Sequence, residues 1–356
     1  MRHVHQMVGN AGPGNSISAG ALVLRSRLRA WGYNSDIYAE SVAPASAWGD
    51  ILPFSRYKPG AADLLIFHYF QVSPLLDFVK AQRVPLLLVY HNVTPSRFFV
   101  GASLETVLRT RRGQAELPAF REQTLVALAD SEFNRRDLIE AGYTRTGIVP
   151  VIIPDTLRQV SPDADVLAQL QDSVNLLCVG RVAPNKRPED VIKALFYYRQ
   201  IEARARLFFV GHTTYTRPYV HWLRGLVAWL GLEGVVTFTG HVSDAALAAY
   251  YRRADVCVYM SEHEGFGIPL VESMRFGVPI IAYASSAVPE TLGGAGILMR
   301  KKQFPVVAEL IHLLQTDPAL RAQVLARQQE RARDFAPDVV LERFRGYLDA
   351  VMGELE

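Results

Sequence analysis

The sequence predicts an α/β protein with two parallel-sheet domains. Short apolar runs of strand length alternate with helical patterns along almost the entire chain, which is typical of βαβ units. The alternation lapses once, over residues 153–172, where a proline-containing polar stretch indicates a linker. A chain of 356 residues is long enough for two domains with separate cores.

The first domain is predicted over residues 1–153. Its candidate strands are residues 4–8, 35–39, 64–68, 85–90, 124–130 and 147–151. Helical patterns lie between most of them, for example over residues 19–31 and 132–141. Ser131 suits the entry to the second of these helices and Gly142 its exit.

A linker over residues 154–173 leads into the second domain, residues 174–336. Its candidate strands are residues 174–179, 207–210, 235–239, 256–260, 279–283 and 296–298. The final segment, residues 337–356, begins with Pro337 and has the apolar spacing of an amphipathic helix.

Composition excludes several classes of protein. No apolar run approaches the length of a membrane-spanning helix, the N-terminus lacks the layout of a signal peptide, and no nucleic-acid-binding module is recognisable. Cys178 and Cys257 lie in separate apolar runs. We therefore expect buried reduced thiols in a cytoplasmic protein, and no metal site built on them.

Charge is unevenly distributed along the chain. Residues 1–154 carry 16 Lys and Arg against 12 Asp and Glu, a net of +4, whereas the remainder carries 22 against 23, a net of −1. A mildly basic first half is compatible with an anionic acceptor or with peripheral contact with the inner membrane. An ordinary solvated surface is the simpler interpretation.

The segment SEHEGFGIPLVE, residues 261–272, is the most informative in the chain. An apolar run precedes it, so we expect a strand, a glycine-containing loop and a helix with Pro269 at its first position. The unpaired N–H groups and the positive end of the helix dipole then face the loop, which suits a phosphate. Gly265 and Gly267 let a ligand approach the main chain closely.

The same segment supplies two carboxylates, Glu264 and Glu272. One can accept hydrogen bonds from sugar hydroxyls and the other from a ribose, while backbone N–H groups hold phosphates between them. Taken alone, such a pair is more often two solvated side chains beside a turn. The surrounding glycines and proline favour a nucleotide-sugar site instead.

A second loop carries Gly180, Arg181 and Lys186 beyond the first strand of the second domain. Ligands of open parallel sheets bind beyond the carboxyl ends of strands, so these cations can converge on the same crevice. They can stabilise a departing diphosphate where other transferases use a divalent metal. The Asp-x-Asp pair Asp163 and Asp165 lies in the predicted linker, and we expect a solvated turn there and no catalytic metal.

These motifs resemble those of family 4 retaining glycosyltransferases, which have the GT-B architecture. EGFG, the proline two residues later and the second glutamate resemble the family's Glu-x7-Glu motif, and the Gly-Arg-x4-Lys spacing is similar to its diphosphate-binding pair. The resemblance implies two Rossmann-like domains facing each other across a cleft. It implies a UDP- or GDP-linked sugar in the second domain, an acceptor mainly in the first, and a C-terminal helix packing back on the first domain.

The resemblance also implies further donor contacts. They would come from Phe266 in the EGFG loop, from the main chain near His241 and Val242, and from Gly12 and Gly14 in the first βα loop. That loop is not G-x-G-x-x-G, and Pro13 removes one N–H donor, so nicotinamide binding is not indicated.

His91 follows the predicted strand at residues 85–90, where related transferases often have a histidine. It can hydrogen-bond the sugar or organise the reacting centre; a structural capping role is the alternative, and His68 is the nearest competitor. Asn15 and Asn92 are candidate acceptor contacts. Arg109 and Arg112 join them from a basic helical stretch that also contains Arg111 and Arg121, although such charge runs are more often solvated.

We expect a metal-independent retaining glycosyltransferase that moves a sugar to a glycan, lipid-linked or small-molecule acceptor. His91, Glu264, Arg181 and Lys186 are the predicted catalytic residues. Retention follows from the resemblance, and same-face attack is preferred over a covalent route, so Glu264 positions the sugar and Glu272 the ribose. A nucleotide-sugar epimerase and a catalytically silent nucleotide-sugar-binding protein are the alternatives.

Overall fold

The computed structural model describes residues 2–12, 14–42, 50–58, 60, 63–70, 73–213 and 217–355. Two compact units make up the chain. Unit 1 comprises Met1–Ser96, Glu105–Pro154 and Phe335–Glu356, and unit 2 comprises Arg97–Leu104 and Asp155–Asp334. Among the described residues, no helix combines the length and the apolar character needed to cross a membrane.

The strands of the described chain form two sheets. They are β1 Val4–Ala11, β2 Ile37–Val42, β3 Ile51–Pro53, β4 Leu64–Tyr69, β5 Leu86–Tyr90, β6 Thr124–Ala129, β7 Thr146–Ile148, β8 Val174–Val179, β9 Ala205–Val210, β10 Val236–Gly240, β11 Val256–Tyr259, β12 Ile280–Tyr283 and β13 Ile297–Met299. In unit 1 the order is β3-β2-β1-β4-β5-β6-β7, and in unit 2 it is β10-β9-β8-β11-β12-β13. Neighbouring strands pair in parallel throughout.

Helices connect the strands. They are α1 Ser16–Ala30, α2 Pro74–Gln82, α3 Leu104–Glu116, α4 Glu132–Glu140, α5 Thr156–Gln159, α6 Ala164–Gln169, α7 Pro188–Tyr198, α8 Arg217–Trp229, α9 Asp244–Arg253, α10 Ile268–Phe276, α11 Val288–Leu292, α12 Phe304–Thr316, α13 Pro318–Arg333 and α14 Pro337–Glu354. Short 3₁₀ turns are found at Phe54–Arg56, Ser96–Phe99, Leu117–Gln123 and Pro184–Lys186. Strands covered by helices on both faces read as continuous apolar runs, which is why the sequence pattern located most of them.

The structure differs from the sequence-based expectation at several elements. The edge strand β3 has no counterpart in the prediction because it is only three residues long. Residues 154–173, expected to be a linker, contain α5 and α6. From Asp155 onward they belong to unit 2, and Leu170 is buried in a core of that unit. Pro269 occupies the second helical position, since α10 begins at Ile268.

The C-terminal helix α14 packs within unit 1. Its apolar stripe includes Leu341, Phe344 and Leu348, which share a core cluster with Val4 of β1 and Leu24 of α1. Each fully buried side chain of this kind contributes roughly 1.5–3 kcal/mol to the free energy of folding. The last helix in sequence is therefore part of the first folded unit.

Both cysteines are free and lie on neighbouring strands of unit 2. Burial raises the pKa of Cys178 to about 12 and the pKa of Cys257 to about 12. Thiols held in the protonated form in this way are poor nucleophiles, so the two side chains serve as core residues.

Candidate active site

The candidate site of unit 2 lies at the carboxyl ends of β8 and β11. These strands are neighbours in the sheet although residues 180–255 separate them in sequence. The loop after β8 carries Arg181 and Lys186, and the loop after β11 carries Glu264 and the EGFG glycines. Strand pairing thus brings together the two motifs that sequence reasoning identified separately.

An ion pair joins the two loops. The Lys186 ammonium contacts Glu264 Oε2, and both side chains are largely buried. Ser261 Oγ donates to Glu264 Oε1 at 2.7 Å, and the Glu264 backbone N–H donates to Ser286 Oγ at 2.7 Å. Glu264 is therefore held at both carboxylate oxygens and at its main chain, which fixes its orientation.

Asn185 clamps the same two loops through its backbone and side chain. Its Nδ2 donates to the His263 carbonyl at 3.1 Å, and its carbonyl accepts from the Glu262 N–H at 2.8 Å. Burial lowers the pKa of His263 to about 4, so this ring is neutral, and it lies 5.7 Å from the Phe98 ring. Sequence reasoning missed Asn185 because an asparagine beside a lysine carries no pattern of its own.

The EGFG loop ends at the start of α10. Gly267 is the N-cap residue with φ +96°, a left-handed conformation that favours glycine. A Cβ at this position would also lie 2.9 Å from Leu270 Cδ1. The N–H groups of Gly267, the N-cap residue, and of Ile268, the first residue of α10, have no intrahelical acceptor. Such groups suit an anion. Phe266 is buried beside them, and Gly265 is partly buried.

Glu272 lies four residues after Ile268, the first residue of α10, and its side chain points toward α9. Its Oε2 accepts a hydrogen bond from the Tyr251 hydroxyl at 2.8 Å. Burial raises the pKa of Glu272 to about 7, and the Tyr251 hydrogen bond partly opposes that rise. A carboxylate this costly to ionise is unusual outside functional sites. The two glutamates of the motif thus have different environments: Glu264 is ion-paired, whereas Glu272 faces a tyrosine.

Two histidines complete this edge of the sheet. His212 follows β9 and His241 follows β10, and their rings stack 4.6 Å apart with an interplanar angle of 3°. Burial lowers the pKa of His212, and the neighbouring His241 and Arg181 lower it further. The position of His212 just after a strand was a signal that sequence reasoning could have used. Val242, a predicted donor contact, packs partly against the adjacent core.

Two glycines let β8 and β9 end close together. A Cβ on Gly211 would lie 2.1 Å from the Gly180 carbonyl oxygen, so only glycine fits there. A Cβ on Gly180 would meet no described atom within 4 Å. Space is thus left above Gly180, next to Arg181.

In unit 1, His91 belongs to a buried hydrogen-bonded chain. His91 Nδ1 lies 3.0 Å from Asp130 Oδ2, and its Nε2 lies 3.0 Å from His68 Nδ1. His68 Nε2 lies 3.1 Å from Gln6 Oε1, and Gln6 Nε2 donates to the Ala21 carbonyl at 3.0 Å. Both ring nitrogens of His91 are thus engaged within the unit, so a ring hydrogen bond to a sugar requires one of these contacts to open.

The chain from Gln6 to Asp130 needs three protons for its three hydrogen bonds. Gln6 Nε2 is committed to Ala21, so Gln6 presents its carbonyl oxygen and His68 Nε2 must carry a proton. Burial keeps His68 neutral by lowering its pKa well below the usual value. Its Nδ1 is then an acceptor, and His91 Nε2 must donate.

A third proton must therefore lie between His91 Nδ1 and the Asp130 carboxylate. Two neutral imidazoles supply only two protons. Burial raises the pKa of Asp130, which is consistent with a proton held by the Asp130–His91 pair. The pair is neutral as a whole, which lowers the desolvation penalty of burying it.

The predicted acceptor contacts are engaged in local structure. Asn15 caps α1 by accepting from the Ile17 and Ser18 N–H groups, and its Nδ2 donates to the Asn10 carbonyl at 2.6 Å. Asn92 has φ +69°, and its buried amide donates to Asn134 Oδ1 at 3.0 Å. The Asn15 side chain thus holds the start of α1, and the Asn92 side chain ties the loop after β5 to α4.

The remaining candidates lie in surface or loop positions. Arg109 pairs with Glu105 within α3, and Arg112 pairs with Glu116 and with Asp77 of α2. Arg111 is exposed on the same helix, whereas Arg121 donates to the Pro118 carbonyl in the following turn.

The first βα loop and the Asp-x-Asp pair can also be placed. The Gly12 carbonyl accepts from the Asn15 N–H, Gly14 has φ +74°, and Pro13 lies outside the described residues. Asp163 caps α6 by accepting from the Asp165 and Val166 N–H groups. Within the described parts of the chain, no group of three His, Cys, Asp or Glu side chains could hold a metal ion.

Comparisons with known proteins identify the family of this chain. The profile of the family "Glycosyl transferases group 1" matches residues 164–333, which contain both loops. The D-inositol 3-phosphate glycosyltransferase of Thermomonospora curvata is 27% identical over 322 residues, 83% of this chain and 74% of the relative. The enzyme of that name from Kineococcus radiotolerans is 30% identical over 311 residues, 79% of this chain and 70% of the relative.

The chain belongs to the group 1 glycosyl transferases. Solved structures show what fold this group 1 glycosyl transferase has. Anabaena HepE, solved in complex with UDP and glucose, superimposes with a TM-score of 0.77 at 17% identity, covering 98% of this chain and 100% of that one. Sucrose-phosphate synthase from Thermosynechococcus elongatus gives 0.75 at 20% identity, covering 99% and 100%. The predicted fold class, a GT-B protein of two Rossmann-like units, is confirmed.

Proposed function

We propose that this glycosyltransferase moves a sugar from a nucleoside-diphosphate sugar to a glycan, lipid-linked or small-molecule acceptor, with retention of anomeric configuration and without a metal. The observation that carries the proposal is the Lys186–Glu264 ion pair. It places a cation and a carboxylate together at the carboxyl ends of the neighbouring strands β8 and β11. Carboxylates accept hydrogen bonds from sugar hydroxyls, and cations stabilise phosphates.

The charges around this pair support binding of a diphosphate. Lys186 and Arg181 flank the loop after β8, and the start of α10 offers N–H groups and the positive end of its dipole. Negative charge that develops on a departing diphosphate would then be stabilised by fixed protein charges in place of a divalent cation. HepE, which shares the fold, has been solved with UDP-glucose, and that supports a nucleotide sugar as donor.

The environment of Glu264 supports same-face attack over a covalent route. One of its oxygens contacts Lys186 and the other accepts from Ser261, so it is held as a positioning group. In the proposed reaction the acceptor oxygen attacks the anomeric carbon on the face from which the diphosphate leaves, and the leaving phosphate takes the acceptor's proton. A covalent glycosyl-enzyme at Glu264, detected by mass spectrometry, would overturn this assignment.

Glu272 is proposed to bind the ribose. Its second carboxylate oxygen accepts no hydrogen bond within the described chain, and ribose hydroxyls would supply donors that favour the ionised form. We place the donor on unit 2 and the acceptor mainly on unit 1. Gly12 and Gly14 stay predicted backbone contacts of the donor.

A panel of donors and acceptors tests the proposal. UDP-, GDP- and dTDP-sugars are incubated with excess EDTA, with and without D-inositol 3-phosphate, the acceptor named for two relatives. We expect acceptor-dependent release of nucleoside diphosphate in EDTA, and an α-linked product from an α-linked donor by NMR. An absolute requirement for added Mg²⁺ or Mn²⁺ contradicts metal independence. Inversion at the anomeric carbon contradicts retention.

The same panel separates the two alternatives. An epimerase converts the donor into an isomer when no acceptor is present, and chromatography of the nucleotide sugar detects it. A silent binding protein gives calorimetric affinity for a nucleotide sugar without turnover with any acceptor. The family membership favours transfer over both outcomes.

A further inference from the structure

The exposed side of α8 in unit 2 is unusually apolar for a surface helix. Trp222 is 52% exposed and Trp229 is 81% exposed. They lie seven residues apart, on one stripe of the helix, with Gly225 between them. Exposed tryptophans are rare on monomeric surfaces unless the surface has a partner.

The formally charged side chains of the helix, Arg217 and Arg224, are both positive. Its sequence, RPYVHWLRGLVAW, contains Arg217, Arg224 and His221 and neither an acidic nor an amide side chain. All three of these residues are exposed. The nearest acidic residue in sequence after the helix is Glu233, beyond the turn that follows it.

The opposite face of α8 is fixed in the core of unit 2. Val220, Leu223 and Val227 are buried there. In chain order the helix connects β9 to the edge strand β10. The tryptophan face is therefore turned away from the core of unit 2.

We propose that this face of α8 docks on an anionic lipid bilayer. Tryptophan rings favour the boundary between water and acyl chains, and guanidinium groups pair with lipid phosphates. A helix with two tryptophans on one exposed stripe, two exposed arginines and no acidic side chain resembles surface-lying amphipathic helices. The charge of the helix is complementary to an anionic membrane and opposes docking of a basic partner.

The test uses the full chain and sedimentation with vesicles. Vesicles of phosphatidylcholine alone are compared with vesicles that also contain phosphatidylglycerol. We expect binding to the anionic vesicles, weakened more than about tenfold by Trp222→Gln with Trp229→Gln because buried aromatic area is lost. Arg217→Gln with Arg224→Gln should weaken it about fivefold per arginine. Brominated lipid should quench tryptophan fluorescence in the parent chain and much less in the tryptophan variant.

Two matched control variants remove exposed apolar side chains or exposed arginines elsewhere in unit 2. Val306→Gln with Leu313→Gln replaces two half-exposed apolar residues of α12, and Arg327→Gln with Arg333→Gln removes two exposed charges of α13. Both should bind vesicles like the parent. All substituted residues are exposed, and thermal unfolding verifies that each variant folds.

Three outcomes overturn the proposal. The first is vesicle binding that the tryptophan variant retains in full. The second is loss of binding only on changing Leu104 and Leu108, exposed residues of α3, which would locate the membrane face there. The third is no binding to either kind of vesicle; a dimer in analytical ultracentrifugation that the tryptophan variant loses would then identify a second copy as the occupant. Transfer to a soluble acceptor should be unaffected by the α8 variants, which separates this inference from the proposed function.

Discussion

Lys186 and Glu264 form an ion pair between loops that follow two neighbouring strands of unit 2. Lys186→Ala removes a cation from the proposed diphosphate site and leaves the Glu264 charge without its partner. We expect UDP affinity to fall at least about tenfold and kcat/KM about 10²–10³-fold. Isothermal titration calorimetry and steady-state kinetics measure the two effects.

Lys301→Ala is the matched control for that substitution. Lys301 is exposed in the same unit, so its removal changes the net charge equally without touching either loop. Equal calorimetric affinities for UDP in the parent chain and in the Lys186→Ala variant would count heavily against the site.

Glu264→Gln separates sugar positioning from nucleotide binding. The substitution keeps the shape and the Ser261 contact but removes the negative charge opposite Lys186. We expect kcat to fall at least about 10²-fold while UDP binds within about threefold of the parent, because a free nucleoside diphosphate has no sugar for Glu264 to hold. A large loss of UDP affinity with normal kcat would assign Glu264 to the nucleotide instead.

Glu272→Gln should stabilise the protein at alkaline pH and weaken nucleotide binding. The pKa of Glu272 in the folded protein is about 7, above its usual value of 4.5. The folded state therefore binds more protons than the unfolded state between these values, and the free energy of unfolding falls as the pH rises through this window. Glutamine removes that penalty, a gain on the order of 2 kcal/mol at pH 8.

Denaturant unfolding at pH 5 and at pH 8 measures this effect. The parent should lose stability between the two values relative to the Glu272→Gln variant. Tyr251→Phe is a useful companion, because it removes the hydroxyl that stabilises the carboxylate and should raise the pKa of Glu272 further. Identical pH profiles for the parent and the glutamine variant contradict the shifted pKa.

Substitutions at Asp130 test the proton count in the His91 chain. An asparagine amide can donate to His91 Nδ1, so Asp130→Asn keeps all three hydrogen bonds without an added proton. Asp130→Ala leaves His91 Nδ1 without a partner and should lower the free energy of unfolding by about 1–3 kcal/mol. We therefore expect the Asp130→Asn variant to be about as stable as the parent and the Asp130→Ala variant to be less stable.

The pH dependence of these variants has a definite sign. Burial raises the pKa of Asp130 above its usual 3.8, so the folded parent holds a proton at pH values where the unfolded chain has lost it. The parent's stability should then fall as the pH rises, until that proton is lost. The Asp130→Asn variant should lack this component. ¹⁵N spectra of the rings and ¹³C spectra of the Asp130 carboxyl should together account for three protons; two ring protons beside an ionised Asp130 would refute the count.

His212 reports on the charge beside Arg181. Burial lowers the pKa of His212 below its usual 6.5, and His241 and Arg181 lower it further. Removing either neighbour, by His241→Asn or Arg181→Gln, should raise that pKa in an NMR titration. Addition of UDP should also raise it, because the diphosphate brings negative charge to this edge of the sheet. A pKa that UDP leaves unchanged would place the nucleotide elsewhere.

Much of the fold follows from local sequence because strands buried on both faces must be apolar throughout. The run at residues 174–179 was predicted with the bounds that β8 has in the structure. β3 was missed because three residues on a sheet edge carry too little pattern. α6 was missed because the buried Leu170 that ties this region to unit 2 is a single apolar residue in a polar stretch.

The sequence by itself determined the α/β class, the two parallel sheets and the loops that carry Lys186, Glu264 and His91, since these depend on short-range periodicity and on the position of polar residues after strands. Only the tertiary structure decided which loops meet. Strand order places β11 beside β8, so Lys186 contacts Glu264, and the pairing of β5 with β4 and β6 gives His91 its partners His68 and Asp130. Such contacts join residues far apart in the chain, and no local pattern encodes them.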